Sequence, residues 1–103
     1  MKLRGKQKRY LRSQANRMKP ISSIGKNGLT DVWLEQILDA LQKRELVKIN
    51  IQQNADVDTD DVKNFLESKS DINVVQVIGK TLLLFLPSND EDNQTVSVEV
   101  KNI

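Results

Sequence analysis

Residues 24–30, Ile-Gly-Lys-Asn-Gly-Leu-Thr, constrain the fold more than any other stretch of the chain. Gly25 and Gly28 bracket two polar residues, Lys26 and Asn27. A short apolar stretch, Ile21 to Ile24, precedes them, and from Leu29 onward the apolar residues recur at helical spacing. Glycine tolerates φ > 0 and the close approach of another backbone, so the segment is a tight link from a strand into the N-terminus of a helix. Free N–H groups and the macrodipole favour an anion at such a point. A G-x-x-G loop carrying a lysine can hold a phosphate backbone as KH modules do; taken alone, the same four residues serve equally as a plain turn.

The distribution of charge favours the first of these readings. Nine of the 16 basic side chains and none of the 14 acidic ones fall within residues 1–30, which leaves seven bases against 14 acids in the remainder. The net charge of +2 therefore conceals one strongly electropositive end, and such a field attracts polyanions. With 103 residues the chain has room for one domain of modest core and none for a separate catalytic one. Cysteine is absent, and with it disulfides, thiolate metal sites and a thiol nucleophile. Histidine is absent too, and with it the usual general base and the commonest metal ligand. The chain is expected to be no enzyme and to hold neither cofactor nor metal. No apolar run approaches the ~20 residues that span a bilayer, and no signal-peptide core is present. A soluble, cytoplasmic protein is the expectation.

In chain order, residues 2–18 read as an amphipathic helix. Leu3, Tyr10, Leu11, Ala15 and Met18 share one arc, and Lys6, Lys8, Arg9, Arg12 and Arg17 fall outside it. The apolar arc should dock on the body and leave the basic face for a partner, with Lys19-Pro20 ending the helix. Basic amphipathic helices also occur in transit peptides and on membrane surfaces, so the alternative reading is a membrane-surface or protein-interaction adaptor that uses this helix. Ile21 to Ile24 is a first strand. A second helix runs from Thr30, its N-cap, to Arg44 and buries a wide arc that includes Trp33, Leu34, Ile37 and Leu41. Trp33 is read as core rather than as a platform for base stacking.

Glu45 to Ile51 alternates as a second strand. Asp56, Asp58, Asp60 and Glu67 have the spacing of an EF-hand loop, but Asp61 stands where that loop needs glycine. The acids are therefore read as the first turn of a third helix, Thr59 to Lys69. Ile72 to Ile78 and Thr81 to Leu86 are strands joined by a type II′ turn at Gly79-Lys80. Gly79-Lys80-Thr81 lacks the upstream glycine and the following helix of a P-loop. Ser88 to Gln94 is acidic and expected to be mobile, while the alternation of Val96, Val98 and Val100 leaves two readings open, a short edge strand over residues 95–101 or a frayed end. The order α-β-α-β-α-β-β predicts an α/β fold, a four-stranded mixed sheet with packed helices, over residues 1–87 and a tail over 88–103.

Several short motifs, taken together, resemble one family. Leu3, Gly5-Lys6-Gln7-Lys8-Arg9, Leu11-Arg12, Pro20, Ile24 to Leu29, Glu45-Leu46-Val47-Lys48 and Val75-Gln76-Val77-Ile78-Gly79 are similar to the CRM domain (chloroplast RNA splicing and ribosome maturation), in its stand-alone bacterial, YhbY-type form. The resemblance spans residues 3–87. It implies a fold like the C-terminal domain of the third translation initiation factor, RNA binding through the G-x-x-G loop, and association with precursors of the large ribosomal subunit. Two positions depart from the family pattern. Arg4 stands where a threonine would cap the first helix, and Phe85-Leu86 stands where the last strand ends in a tyrosine and a basic residue. Gly25, Lys26, Asn27 and Gly28 are thus expected to meet RNA. Lys6, Lys8, Arg9, Arg12, Arg17 and Lys19 would supply an electrostatic track, with Lys48 and Lys80 as further contacts. The protein is expected to act as a monomer on ribosomal RNA, with no membrane partner.

Overall fold

Two strand–helix–strand passages set the topology. The computed structural model describes residues 2–103. Within them α1 spans Gly5–Ala15, β1 Pro20–Ile24, α2 Asp31–Arg44, β2 Leu46–Ile51, α3 Thr59–Lys69, β3 Asn73–Ile78 and β4 Thr81–Phe85. A 3-10 turn at Glu91–Asn93 and a fourth helix, α4, at Val96–Lys101 come after them. The four strands form one mixed sheet in the order β1-β2-β4-β3. β1 runs parallel to β2 because α2 carries the chain back along the sheet. β4 is antiparallel to both β2 and β3. At the β3–β4 hairpin Gly79 has φ +57 and Lys80 does not share the positive sign, the φ pattern of the expected type II′ turn.

Alternation along the strands divides the core in two. Val47, Ile49, Ile51, Leu82 and Leu84 face Trp33, Ile37, Leu41, Val62 and Leu66 of α2 and α3. Leu46, Val75, Leu83 and Phe85 face Leu11 and Ala15 of α1 and Val100 of α4. The first helix is shorter than its apolar pattern suggests, Gly5–Ala15 rather than 2–18, yet Leu3, Tyr10 and Met18 still pack against this second cluster. Trp33 is a core residue, with its ring 6.5 Å from that of Phe65 and its indole N–H donated to Ser22 Oγ at 3.2 Å. Asp58 and Asp61 cap α3 reciprocally: the Asp61 N–H donates to Asp58 Oδ1 at 2.8 Å and the Asp58 N–H to Asp61 Oδ2 at 3.0 Å. Two of the acids in the calcium-like stretch are therefore engaged in starting a helix.

The C-terminal segment departs from expectation. Residues 96–101 form a helix, not an edge strand. Val96 and Val100 are four residues apart and share a helix face against the α1 side of the sheet, while Val98 points outward with 43% of its surface exposed. A strand would have put all three valines on one side; the helix puts two against the sheet and leaves the third to solvent. The segment expected to be a mobile tail is tied to the body at several points. Ser88 Oγ donates to Gln42 O at 2.6 Å, the Asn89 N–H to Gln42 Oε1 at 2.8 Å, and Gln7 Nε2 to Val100 O at 3.0 Å. Arg4, which has no acceptor to cap α1, instead donates from its guanidinium to Ile103 O, while Gln7 Oε1 accepts the Arg4 N–H at 2.8 Å.

Glu45 holds these parts together. It ends α2 in the left-handed region, φ +63, a conformation that costs a non-glycine residue on the order of 1 kcal/mol or more. Its side chain is fully buried. Oε2 accepts the Ser88 N–H at 2.7 Å, and Oε1 accepts those of Thr95 at 2.9 Å and Ser97 at 3.1 Å. Burial alone would raise its pKa, but the Ser97 hydroxyl beside it and the three amide donors outweigh that and hold it below the ordinary glutamate value. A carboxyl whose folded pKa is depressed contributes stability above its unfolded pKa and loses it as pH falls through the folded value. Glu45→Gln should cost about 2 kcal/mol or more in urea denaturation at neutral pH, because charge-assisted bonds are lost and an amide must face amide donors. The wild type should lose more stability than the variant on acidification from about pH 4.3 downward, so that the two denaturation curves converge.

Candidate nucleic-acid interface

The loop between β1 and α2 is a tight turn. The Gly28 N–H donates to Gly25 O at 3.0 Å, and Lys26 and Asn27, at the two central positions, both keep negative φ, as in a type I turn. Gly28 then takes φ +69, which any side chain would strain. Gly25 abuts a side chain: a Cβ there would stand 3.0 Å from Gln52 Oε1. Gln52 also donates its N–H to Ile24 O at 2.9 Å, so the loop is anchored at the end of β1. The turn leaves Lys26 and Asn27 exposed to solvent. Behind it Thr30 Oγ1 accepts the Trp33 N–H at 3.0 Å and opens α2. Asp31 at the helix start is drawn to Lys69 of α3, Nζ to Oδ1 3.1 Å. A hollow beside the turn is lined by Ser23, the loop itself, Thr30, Trp33 and Gln36 among others, with no carboxylate in its lining.

The basic residues of the first segment do not form one continuous track. Arg9 and Arg12 fall on one stripe of α1 with Asn16, by their i, i+3, i+7 spacing. Lys6 lies beside Arg9 at the start of the helix. Lys8 faces another way, into a depression shared with Lys2, Lys63 and Glu67 beside β3 and α3. Arg17 and Lys19 are exposed or nearly so in the link from α1 to β1.

The structure brings Arg12 together with Lys48 instead. Both line a groove of about 250 Å³ between the end of α1 and the open part of the sheet, with Asn16, Gln76, Ile78 and Thr81. Lys80 stands at the neighbouring hairpin, on the same rim of the sheet as the glycine loop: the Ile51 N–H donates to Lys80 O at 2.8 Å, and Ile51 is paired with Ile24. Asn16, Gln76 and Thr81 carry no charge, and although Gln76 falls in the Val75–Gly79 stretch, nothing in the sequence joins the three into one site. On the strands, Gln76 and Thr81 show only as polar residues among apolar ones. For Gln76 even that signal gives the wrong side, because a bulge between Val74 and Gln76 turns Val75 and Gln76 successively to the α1 face.

Comparison with known proteins matches this architecture. The model of the CRS1 / YhbY (CRM) domain matches residues 3–85. The chain is 43% identical over 88 residues to the "Probable RNA-binding protein YqeI" of Bacillus subtilis, covering 85% of this chain and 92% of that protein. It is 35% identical over 86 residues to an "RNA-binding protein" of Haemophilus influenzae, covering 82% and 86%. The solution structure of the hypothetical protein SAV1595 from Staphylococcus aureus superposes with a TM-score of 0.71 at 39% identity, over 87% of this chain and 94% of that one. The matched stretch holds the glycine loop and every strand of the sheet, and the chain belongs to the CRS1/YhbY (CRM) domain family.

Proposed function

We propose that the protein is a non-enzymatic RNA-binding factor that acts as a monomer in the cytoplasm, on ribosomal RNA of the assembling large subunit. The observation that carries this reading is the Lys26-Asn27 turn. It is exposed, set at a helix start, and flanked by a hollow without acids in its lining. Lys26 and the loop amides would hold phosphate oxygens, and Asn27 would add donors. Lys80 shares the rim of the sheet with the loop, and Arg12 and Lys48 in the groove under α1 would extend the positive surface, with Arg9, Arg17 and Lys19 nearby in sequence and Lys6 and Lys8 further off. Curated relatives bear the name RNA-binding protein, which supports RNA as the partner. The ribosomal target rests on the family's association with ribosome maturation.

Two features weigh against other readings. The apolar face of α1 is taken up by the sheet through Leu11 and Ala15, which leaves no stripe to enter a bilayer. Among the described residues no helix is long and apolar enough to cross a membrane. Among the described residues Glu45 is the one fully buried carboxylate, and its commitment to backbone amides supports a structural rather than an acid–base role.

The pair Lys26→Asp with Asn27→Asp tests the loop. Both sites are exposed, so the melt should move little, within roughly ±0.5 kcal/mol per site. RNA affinity should fall about tenfold or more, because two negative charges then face the phosphates. An intact melt with unchanged affinity would make the loop a simple turn. Binding should also be steeply salt-dependent: with about five phosphates neutralised, the log–log slope should be near −3.5, at ~0.7 per phosphate for a single strand. For the ribosomal assignment, the protein should sediment with immature large subunits and leave the mature ones; sedimentation away from all ribosomal particles would remove that assignment and leave RNA binding in place.

A further inference from the structure

The sheet face under α1 and α4 is covered at one end only. Leu46, Val75 and Phe85 lie beneath Leu11 and Val100, whereas the end carrying Lys48, Gln76 and Thr81 is open and forms the groove beside Arg12 and Asn16.

Charge, chemistry and continuity give this groove a definite occupant. Arg12 and Lys48 reach it from opposite walls, both half-buried, and neither has a carboxylate within salt-bridge distance among the described residues. Cations partly withdrawn from water and left without counter-ions favour an anion between them. The remaining polar lining is neutral: the amides of Asn16 and Gln76 and the hydroxyl of Thr81. No aromatic ring lines the groove, so a base finds nothing to stack on. A ribose does find partners. Its 2′-OH both donates and accepts, as a side-chain amide does, and Ile78, 63% exposed, offers the sugar an apolar contact. The bulge in β3 is what turns Gln76 into this position.

The groove is also connected to the glycine loop. Ser23 lines the hollow beside the loop, and its hydroxyl donates to Asn50 Oδ1; Asn50 is in register with Thr81, which lines the groove. Neighbouring strands lie about 4.8 Å apart, so Ser23 and Thr81, two strands apart, are separated by about 10 Å. A strand of nucleic acid held at Lys26 would cross neutral polar ground and reach two cations at the far side.

Building on the RNA-binding reading, we propose that this groove is a ribose–phosphate subsite for the strand gripped at the glycine loop, and that it is where the protein distinguishes RNA from DNA. Arg12 and Lys48 hold the phosphate, which both polymers possess. Gln76 and Asn16 bond the 2′-OH, which only RNA possesses.

The test is a titration of one single-stranded RNA oligomer and the DNA oligomer of the same sequence, with a thermal melt of each sample. The wild type should prefer RNA. Lys48→Met, and independently Arg12→Gln on the opposite wall, should weaken both polymers by about fivefold to tenfold and lower the salt slope by ~0.7. Gln76→Leu should weaken RNA more than DNA and narrow the preference by about threefold or more. If Lys48→Met and Arg12→Gln keep full affinity while the Lys26→Asp/Asn27→Asp pair loses it, the groove is no subsite and the loop reading stands. If Gln76→Leu weakens both polymers equally, the groove does not discriminate the sugar. If the loop pair keeps full affinity while the groove variants lose it, the groove is upheld and the loop reading falls.

Discussion

The Glu45 carboxylate accepts amide protons from Ser88, Thr95 and Ser97 while its own backbone turns the chain from α2 into β2. Helix end, central strand and C-terminal segment therefore meet at one side chain. A buried charge with poor hydrogen bonds would destabilise the fold; this one has three donors and a hydroxyl beside it, and its pKa is held low. The interaction also orients the fourth helix. With Thr95 and Ser97 pinned, Val96 and Val100 are brought over the sheet beside Leu11. Its three bonds span 43 to 52 positions of the chain and converge on one carboxylate.

That placement decides what the sheet can do. Its α2–α3 face carries the larger core cluster and is open only toward the end of β3, at Val77. Its other face is shared between α1, of eleven residues, and α4, of six, both set toward the Leu46–Phe85 end. The Asn50–Thr81 end is left bare, and apart from Ile78 the exposed residues there are polar or basic. A longer or differently pinned fourth helix would bury the same strip and would require apolar residues where Lys48, Asn50 and Thr81 stand. The open strip, the glycine turn and the β3–β4 hairpin share one rim because the end of β1, the end of β2 and the start of β4 are adjacent there.

Most of the architecture is legible from local pattern. The strand at Leu46–Ile51 shows itself through Val47, Ile49 and Ile51; α2 through Trp33, Leu34, Ile37 and Leu41; its start through Thr30. The docking of α1 is visible in the arc of Leu3, Tyr10, Leu11, Ala15 and Met18. The failures have a common cause in distance along the chain. Val96, Val98 and Val100 fit a strand and one turn of a helix equally well, and the choice is made by Phe85 and Glu45, whose approach no local pattern encodes. Glu45 reads as the first strand residue because its partners lie 43 to 52 positions away. In the candidate interface the turn at Gly25–Gly28 is readable, since a glycine pair is a local signal. The groove is not: it exists only because two helices stop short, and Gln76 points into it through a bulge that breaks the alternation.

The left-handed turn at residue 45 also bears on how the chain matures. Glycine would suit that backbone without strain, so the helix end by itself would be better served by another residue. Glutamate becomes favourable there only in the company of residues 88–97. Residues 88–97 follow β4 by only a few positions, so the donors for the carboxylate become available together with the last strand; until then the carboxylate has water as its only partner and Phe85 lacks its cover of Val100. The second face is therefore covered from both ends of the chain, by α1 from its start and by α4 from its end.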